Sequence, residues 1–312
     1  MLNPATMTTQ QTDTPPLKAW LLLLLLALIW GSSFLLMKKG LLVFSPDQLA
    51  ALRIGSAGLV LLPWLTQRIK TVQRQHLFKL LSVGLVGSFI PAFLFAFGQT
   101  QLASGVTGVL NTLTPLATLV IGVLLFQQPS RFQQWLGVLM GLLGTLVLMN
   151  ANNSANFSLN GYALLIVAAT ICYGINLNLI KHKIADLSAL TITGVSLFLM
   201  APPAFVYLFL FTPFLQQVDH PQFSLAFSAV LLLAIVGTAA ALVIFNTVVK
   251  ITDTTFTSSV TYLIPIVALI LGVLDGEAFF IEHAIGMSAI LAGVWIANRK
   301  KRKPGAMAGQ IN

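Results

Sequence analysis

Small polar side chains recur along one apolar stretch at a spacing that could hold a polar solute. From Ser104 to Leu125 the chain reads SGVTGVLNTLTPLATLVIGVLL, with Ser104, Thr107, Asn111, Thr114 and Thr118 following one another at intervals of three and four. That period puts all five on one face of a helix. Hydroxyls placed so can bond a solute, but they also let helices pack closely and bond to backbone, including the turn before them. Asn111 needs more partners, because a carboxamide has donors and an acceptor to satisfy and is costly against hydrocarbon. A cavity position is favoured for it. Pro115 removes a backbone donor and clashes with the preceding turn, freeing carbonyls beside Asn111 for a ligand, for bending or for a packing kink.

The same pattern returns 150 residues later as TTFTSSVTYLIPIVALILGVL, Thr254 to Leu274, where Pro265 answers Pro115, Gly272 answers Gly122 and Thr261 answers Asn111. Thr254, Thr257, Ser258 and Thr261 share a face there. Trp30 and Ser33 share a face of an earlier run, as do Tyr173 and Asn176 of a later one. The aromatics can wall an apolar group or face an ammonium, and Ser33 and Asn176 can bond a carboxylate or amide. Phe89, Phe93 and Phe97, spaced by four, read as packing or as such a wall, and Asn246 beside Phe245 joins the candidates. The expected substrate-binding set is therefore Trp30, Ser33, Phe93, Phe97, Thr107, Asn111, Tyr173, Asn176, Asn246, Thr257 and Thr261. Arg53, inside a run, could hold a carboxylate, pair with Asp47 or Asp275, or reach the headgroups, while Lys38 lies near the same surface.

The remaining chemistry is sparse. No nucleophile, base and orienting acid stand together in the sequence, and no phosphate loop, metal cluster or cofactor motif is present. An integral-membrane enzyme is the weaker reading. His76, His182, His220 and His283 fall in loops or at helix ends, and the single Cys172 lies in an apolar run, as a small buried apolar residue would. The net charge of +9 comes from basic residues at the ends of apolar runs and in one tail, without interleaved aromatics, which argues against nucleic acid as a partner.

Hydrophobic residues at 57% and charged ones at 8% place the chain in a lipid bilayer, as an all-α integral membrane protein. Ten apolar runs of spanning length fall near residues 19–37, 46–65, 77–98, 103–126, 132–149, 160–180, 188–211, 224–249, 253–274 and 281–298. With the amino terminus inside, nine basic residues from Lys18 to Lys250 and five in the tail Arg299 to Lys303 lie on the cytoplasmic side, fourteen of seventeen. Both termini are expected in the cytoplasm. Residues 1–17 read as a disordered tail and 299–312 as a basic one; 18–149 and 160–298 hold five runs each.

Those halves match in order: Trp30-Gly31 aligns with Tyr173-Gly174, Ser33 with Asn176 and Lys38 with Lys181 at an offset of 143; Gly87 with Gly237 at 150; Gln128 with Glu277 and Gly144 with Gly293 at 149. Five runs per copy force the second copy to enter the membrane upside down, the inverted repeat of secondary transporters. Trp30-Gly31-Ser32-Ser33-Phe34 with Lys38, Arg53, the two proline helices and Gly276-Glu277 before Gly286 resemble the drug/metabolite transporter superfamily in its EamA-like ten-helix branch. The resemblance covers roughly Lys18 to Asn298 and implies two five-helix bundles around a central cavity, moving metabolites such as amino acids. It departs at Phe126-Gln127-Gln128, where the family often shows Gly-Glu.

The reading carried forward is a permease of the cytoplasmic membrane for a small neutral or zwitterionic metabolite, working by alternating access. Export is one of its two open directions, a proton gradient its coupling source to test, and its oligomeric state is left open. Few buried basic residues argue against the first alternative, a nucleotide-sugar or phosphate-ester carrier. A passive channel is the other.

Overall fold

The computed structural model describes residues 16–68, 72–150, 161–252, 260–278 and 280–298, and these are all helices and their connections. Helix α1 is Leu17–Gly40, α2 Pro46–Val60, α3 Leu62–Arg68, α4 Arg74–Gly84 and α5 Ile90–Gly98. Then follow α6 Ser104–Asn111, α7 Thr114–Phe126, α8 Phe132–Asn150, α9 Gly161–Lys183 and α10 Ala189–Phe211. The chain continues through α11 Phe223–Ala234, α12 Ala241–Ile251, α13 Val260–Leu274 and α14 Ile281–Asn298. Among the described residues six stretches are long and apolar enough to cross a membrane: Leu17–Gly40, Arg74–Gly98, Ser104–Phe126, Gly161–Lys183, Ala189–Phe211 and Phe223–Val249. The other four expected runs appear as α2 continued by α3, α8, α13 and α14.

Local chemistry sets the interruptions. Ser45 opens α2 with a capping box closed by Gln48, and Pro63 cannot donate to the carbonyl of Leu59, where α2 gives way to α3. Pro115 likewise cannot donate to Asn111. The chain tightens there, with Thr112 N–H donating to Val109 O at 2.9 Å and Leu113 N–H to Leu110 O at 3.0 Å, before α7 starts. The Thr114 hydroxyl takes the Asn111 carbonyl at 2.8 Å. The carbonyl that the proline leaves over is thus bonded within the chain, not presented to a ligand.

Two π turns interrupt long helices, Leu85–Phe89 between α4 and α5 and Ile235–Ala240 between α11 and α12. They lie 150 residues apart. Pro91 helps to produce the first, since its ring crowds the carbonyl of Gly87. In the second, the Thr238 hydroxyl donates to Leu233 O, five residues back, at 3.0 Å.

Packing follows the small residues. Helices α8 and α14 touch backbone to backbone: a Cβ on Gly144 would stand 2.8 Å from Gly286 O and Ile290 N, and one on Gly293 2.6 Å from Gly137 O. In the same manner α7 lies on α9 at Ala117 and Gly174, while α1 lies on α13 where Gly31 admits the Val267 side chain. The main core runs through Leu23, Phe34, Leu49, Phe95, Leu110, Ile166, Leu208 and Ile264. Leu21, Leu24, Leu25, Leu28, Leu124, Leu210 and Phe211 point outward, so the outer surface is apolar as lipid demands.

Candidate functional site

The π turns gather the polar interior. In the π turn at Ile235–Ala240 the Gly237 carbonyl accepts from the Trp30 indole at 3.2 Å. The Ser33 oxygen sits where a Cβ on Gly237 would come within 2.8 Å, so only glycine admits the close approach of α1. Next along the same turn, Thr238 accepts a hydrogen bond from Arg53 Nε at 2.8 Å. The other π turn repeats the arrangement. Gly87 leaves room for the Asn176 carboxamide, whose atoms would stand 2.6–2.7 Å from a Cβ there.

Aromatic rings surround these groups. Trp30 lies 5.3 Å from Phe245, and Tyr173 stacks on Phe95 at 5.9 Å. Phe93 packs on Phe89 at 5.0 Å and meets Tyr207 edge-on at 6.0 Å. Arg53 and Tyr173 are each half-buried and lie within Coulombic range of one another.

The expected residues divide accordingly. Trp30 and Ser33 lie at the π turn of Gly237, Asn176 lies at that of Gly87, Tyr173 one turn before Asn176 stacks on Phe95, and Phe93 packs on Phe89 at the end of the first π turn. Phe97 does not join them, being 41% exposed on the outer surface. Thr107 is fully buried and donates to Ala103 O in its own helix at 3.0 Å. Asn111 is half-buried and accepts weakly from Thr114, at 3.4 Å. Asn246 is a buried strut, its Nδ2 donating to Thr193 Oγ1 at 2.9 Å, and Thr261 is buried on α13. Thr257 lies outside the described residues. The residues that the sequence left unassigned are Arg53, Thr238 and Phe245. The signal for Arg53 was its charge inside an apolar run; nothing in the sequence pointed to its partner 185 residues away.

Polar networks close the bundle at either end. At one, Lys38 lies 2.8 Å from Asp275 and 3.1 Å from Glu277, and Lys39 pairs with Asp275 as well. Glu277 also accepts from Ser104 N–H, the first of α6, at 2.9 Å, and Gln99 Nε2 donates to Phe34 O at 2.6 Å. Burial pushes the Glu277 carboxyl up, but the Ser104 donor and Lys38 outweigh it and leave it below its ordinary value. At the opposite end Gln128 Nε2 donates to Asn178 Oδ1 at 2.8 Å and lies 2.7 Å from His182 Nε2. Asn178 in turn donates to Thr118 O at 3.0 Å.

Known proteins agree with this architecture. The model of the EamA-like transporter family matches residues 17–150 and again 160–299. The chain is 28% identical over 281 residues to the uncharacterized inner membrane transporter YedA of Escherichia coli K12, covering 86% of this chain and 87% of that protein. It is 27% identical over 289 residues to a probable amino-acid metabolite efflux pump of Salmonella typhimurium, covering 88% and 93%. One crystal structure superposes with a TM-score of 0.62 at 22% identity over 90% of this chain and 96% of its own, a likeness of fold. Two matched stretches, apolar helices of spanning length and an inner-membrane relative aligned over most of its length place this multi-pass membrane protein in the EamA-like transporter family.

Proposed function

We propose that the chain is a secondary transporter of ten spans in two inverted copies, residues 18–149 and 160–298. It moves a small neutral or zwitterionic, amino acid-like metabolite across the cytoplasmic membrane by alternating access, in the direction of export. One observation carries the reading: the contacts of the first copy recur in the second. Ser33 meets the π turn at Gly237 as Asn176 meets the π turn at Gly87, and Gly31 meets Val267 as Gly174 meets Ala117. Two copies with an odd number of spans oppose one another and enclose a site between them. Trp30, Ser33, Tyr173, Asn176 and Phe93 line that site, with Asn111 and Thr261 at its margins.

Amino-acid likeness and export draw on the description of the Salmonella relative. The basic residues support both termini in the cytoplasm. A nucleotide sugar or phosphate ester would bring two or more negative charges to an interior holding one guanidinium, a poor match in low dielectric.

The purified protein in sealed proteoliposomes, loaded in turn with each labelled proteinogenic amino acid, tests the reading with and without an imposed proton gradient. Saturable efflux of one or a few is the expected result, faster with a proton-motive force if protons are the coupling ion. Flux that never saturates would mark a channel, and well-folded protein that moves none of them would remove the amino acid-like substrate. Trp30→Ala should raise KM.

A further inference from the structure

We infer that Arg53, Tyr173 and Asn176 form a carboxylate-binding subsite, so that the transported molecule carries one carboxylate; this rests on the transport reading above. Arg53 is a cation whose charge has no partner among the described residues. Arg53 commits only Nε, to Thr238, and its Nη donors have no hydrogen bond or ion pair among the described residues. A guanidinium cannot shed its charge as a lysine can, so an interior arginine calls for an anion.

The chain's own acids among the described residues are placed elsewhere. Asp275 and Glu277 are held by Lys38 and Lys39, Asp186 by His76 at 3.1 Å, and Asp47 accepts from the Tyr207 hydroxyl at 3.1 Å. Asp219 lies in the connection before α11 and Glu282 in the first turn of α14. None of them makes an ion pair with Arg53. The missing charge belongs to something that comes and goes.

Tyr173, within Coulombic range of Arg53, and Asn176 one turn further along α9 have the matching chemistry. The Tyr173 hydroxyl makes no hydrogen bond among the described residues, and neither does the Asn176 carboxamide one turn on, although its Oδ1 is buried. The Thr238 hydroxyl, fixed by donating to Leu233 O, holds the guanidinium by one edge and leaves its fork of Nη donors open. A fork of that kind takes a carboxylate through two parallel bonds at about 2.7–2.9 Å. Tyr173 and the Asn176 amide nitrogen can donate to the remaining lone pairs. One cation and neutral donors suit a single negative charge. The second charge of a phosphate monoester would stay unbalanced.

The test uses full-length protein in proteoliposomes, with counterflow of each labelled amino acid competed by the same acid, its carboxamide and its decarboxylated amine. For any acid that is transported, the expected result is that carboxamide and amine compete about a hundredfold less well, the loss of a charge-assisted bidentate bond. Arg53→Gln should abolish that preference, and Arg53→Lys should recover part of it. Tyr173→Phe, which removes one hydroxyl, should weaken the acid about tenfold with the protein intact. Equal competition by acid and carboxamide, or an unchanged preference in Arg53→Gln, overturns the proposal while the transport reading stands.

A second arm is independent of amino acid transport. Phenylglyoxal modification of Arg53, read by peptide mass spectrometry on the purified protein, should be slowed by acetate or benzoate and not by the matching amides. If no amino acid is transported but carboxylates still protect, the subsite stands and the amino acid reading falls. If neither carboxylate protects, the subsite falls.

Discussion

Glu277→Gln should loosen the Lys38 end of the bundle, and Gln128 in the first copy already occupies the matching position as an amide. The substitution keeps size and an acceptor for Ser104 N–H, so what it removes is charge. The bond from Ser104, 2.9 Å in the structure, becomes neutral to neutral, a loss of about 1 kcal/mol. The negative charge also stands at the N-terminus of α6, where it contributes about 0.5 kcal/mol. Lys38, 3.1 Å away and about one-third exposed, adds about 0.5 kcal/mol after solvent screening. The total is about 2 kcal/mol, a shift of roughly thirtyfold in any equilibrium that opens this end.

Val106 reports on that opening, since it is 8% exposed and lines a small cavity of about 10 Å³ with Gly105, Leu269, Glu277 and His283. With Cys172→Ala as background, Val106→Cys should react with a maleimide in purified protein roughly thirtyfold faster when Glu277→Gln is added. A melting temperature near that of the background would show that the fold is intact. An unchanged reaction rate would refute the reasoning, because it would mean that the Glu277 charge does nothing to hold α6 against the connection before α14.

Other outcomes follow from the packing and the polar groups. Gly293→Ala and Gly144→Ala each drive a methyl into backbone of the facing helix and should cost about 1–3 kcal/mol, seen as lower melting temperatures. Gly194→Ala, with nothing within 4 Å of the added carbon, should be neutral or gain about 1 kcal/mol of helix propensity. Trp30→Phe keeps the contact with Phe245 and loses the bond to Gly237 O, so stability should fall by about 1 kcal/mol. The carboxyls of Asp275 and Glu277 both lie below their ordinary values of 3.8 and 4.5, Asp275 first through its bonds to Lys38 and Lys39. Their contribution is therefore complete above those values and is lost as pH falls through the depressed ones. A thermal melt should show an acid-side decline that is shallower in the Asp275→Asn, Glu277→Gln double variant.

Much of the layout was legible because long apolar runs leave little choice but helices, and six of the runs form helices of spanning length. The site was legible only in part. Trp30, Ser33, Tyr173 and Asn176 stood out in the sequence because two copies of one pattern marked them. Phe97 was misread for a geometric reason: a step of four drifts about 40° on a helix, so by the second step the ring has swung some 80° from Phe89. The row of hydroxyls misled too. Thr107, Thr114 and Thr118 each donate to a carbonyl of their own stretch, which leaves less of the stripe for a ligand than its spacing implied. The π turns left no trace in the hydropathy pattern, because one extra residue in a turn changes direction and not composition. Arg53 could not be assigned because its fate depended on which distant acids were already taken.

The two ends of the bundle are built from the same contact with different chemistry, and this gives the molecule a direction. Glu277 folds over Gly272 as Gln128 folds over Gly122, each just after a residue with positive φ, Gly276 at 86° and Gln127 at 52°. At the first end the contact is ionic, through Lys38, Lys39 and Asp275. At the second it is neutral, through Asn178, and where Lys39 meets Asp275 the matching pair is His182 stacked on Phe126 at 5.1 Å. Added salt shortens the reach of charge from about 10 Å at 0.1 M to about 3 Å at 1 M and acts little on amide bonds or stacking. Raising ionic strength should thus speed alkylation of the Val106→Cys reporter and leave that of a cysteine beside Gln128 nearly unchanged. Equal acceleration at both ends would mean that charge is not what distinguishes them, and the asymmetry between the copies would need another source.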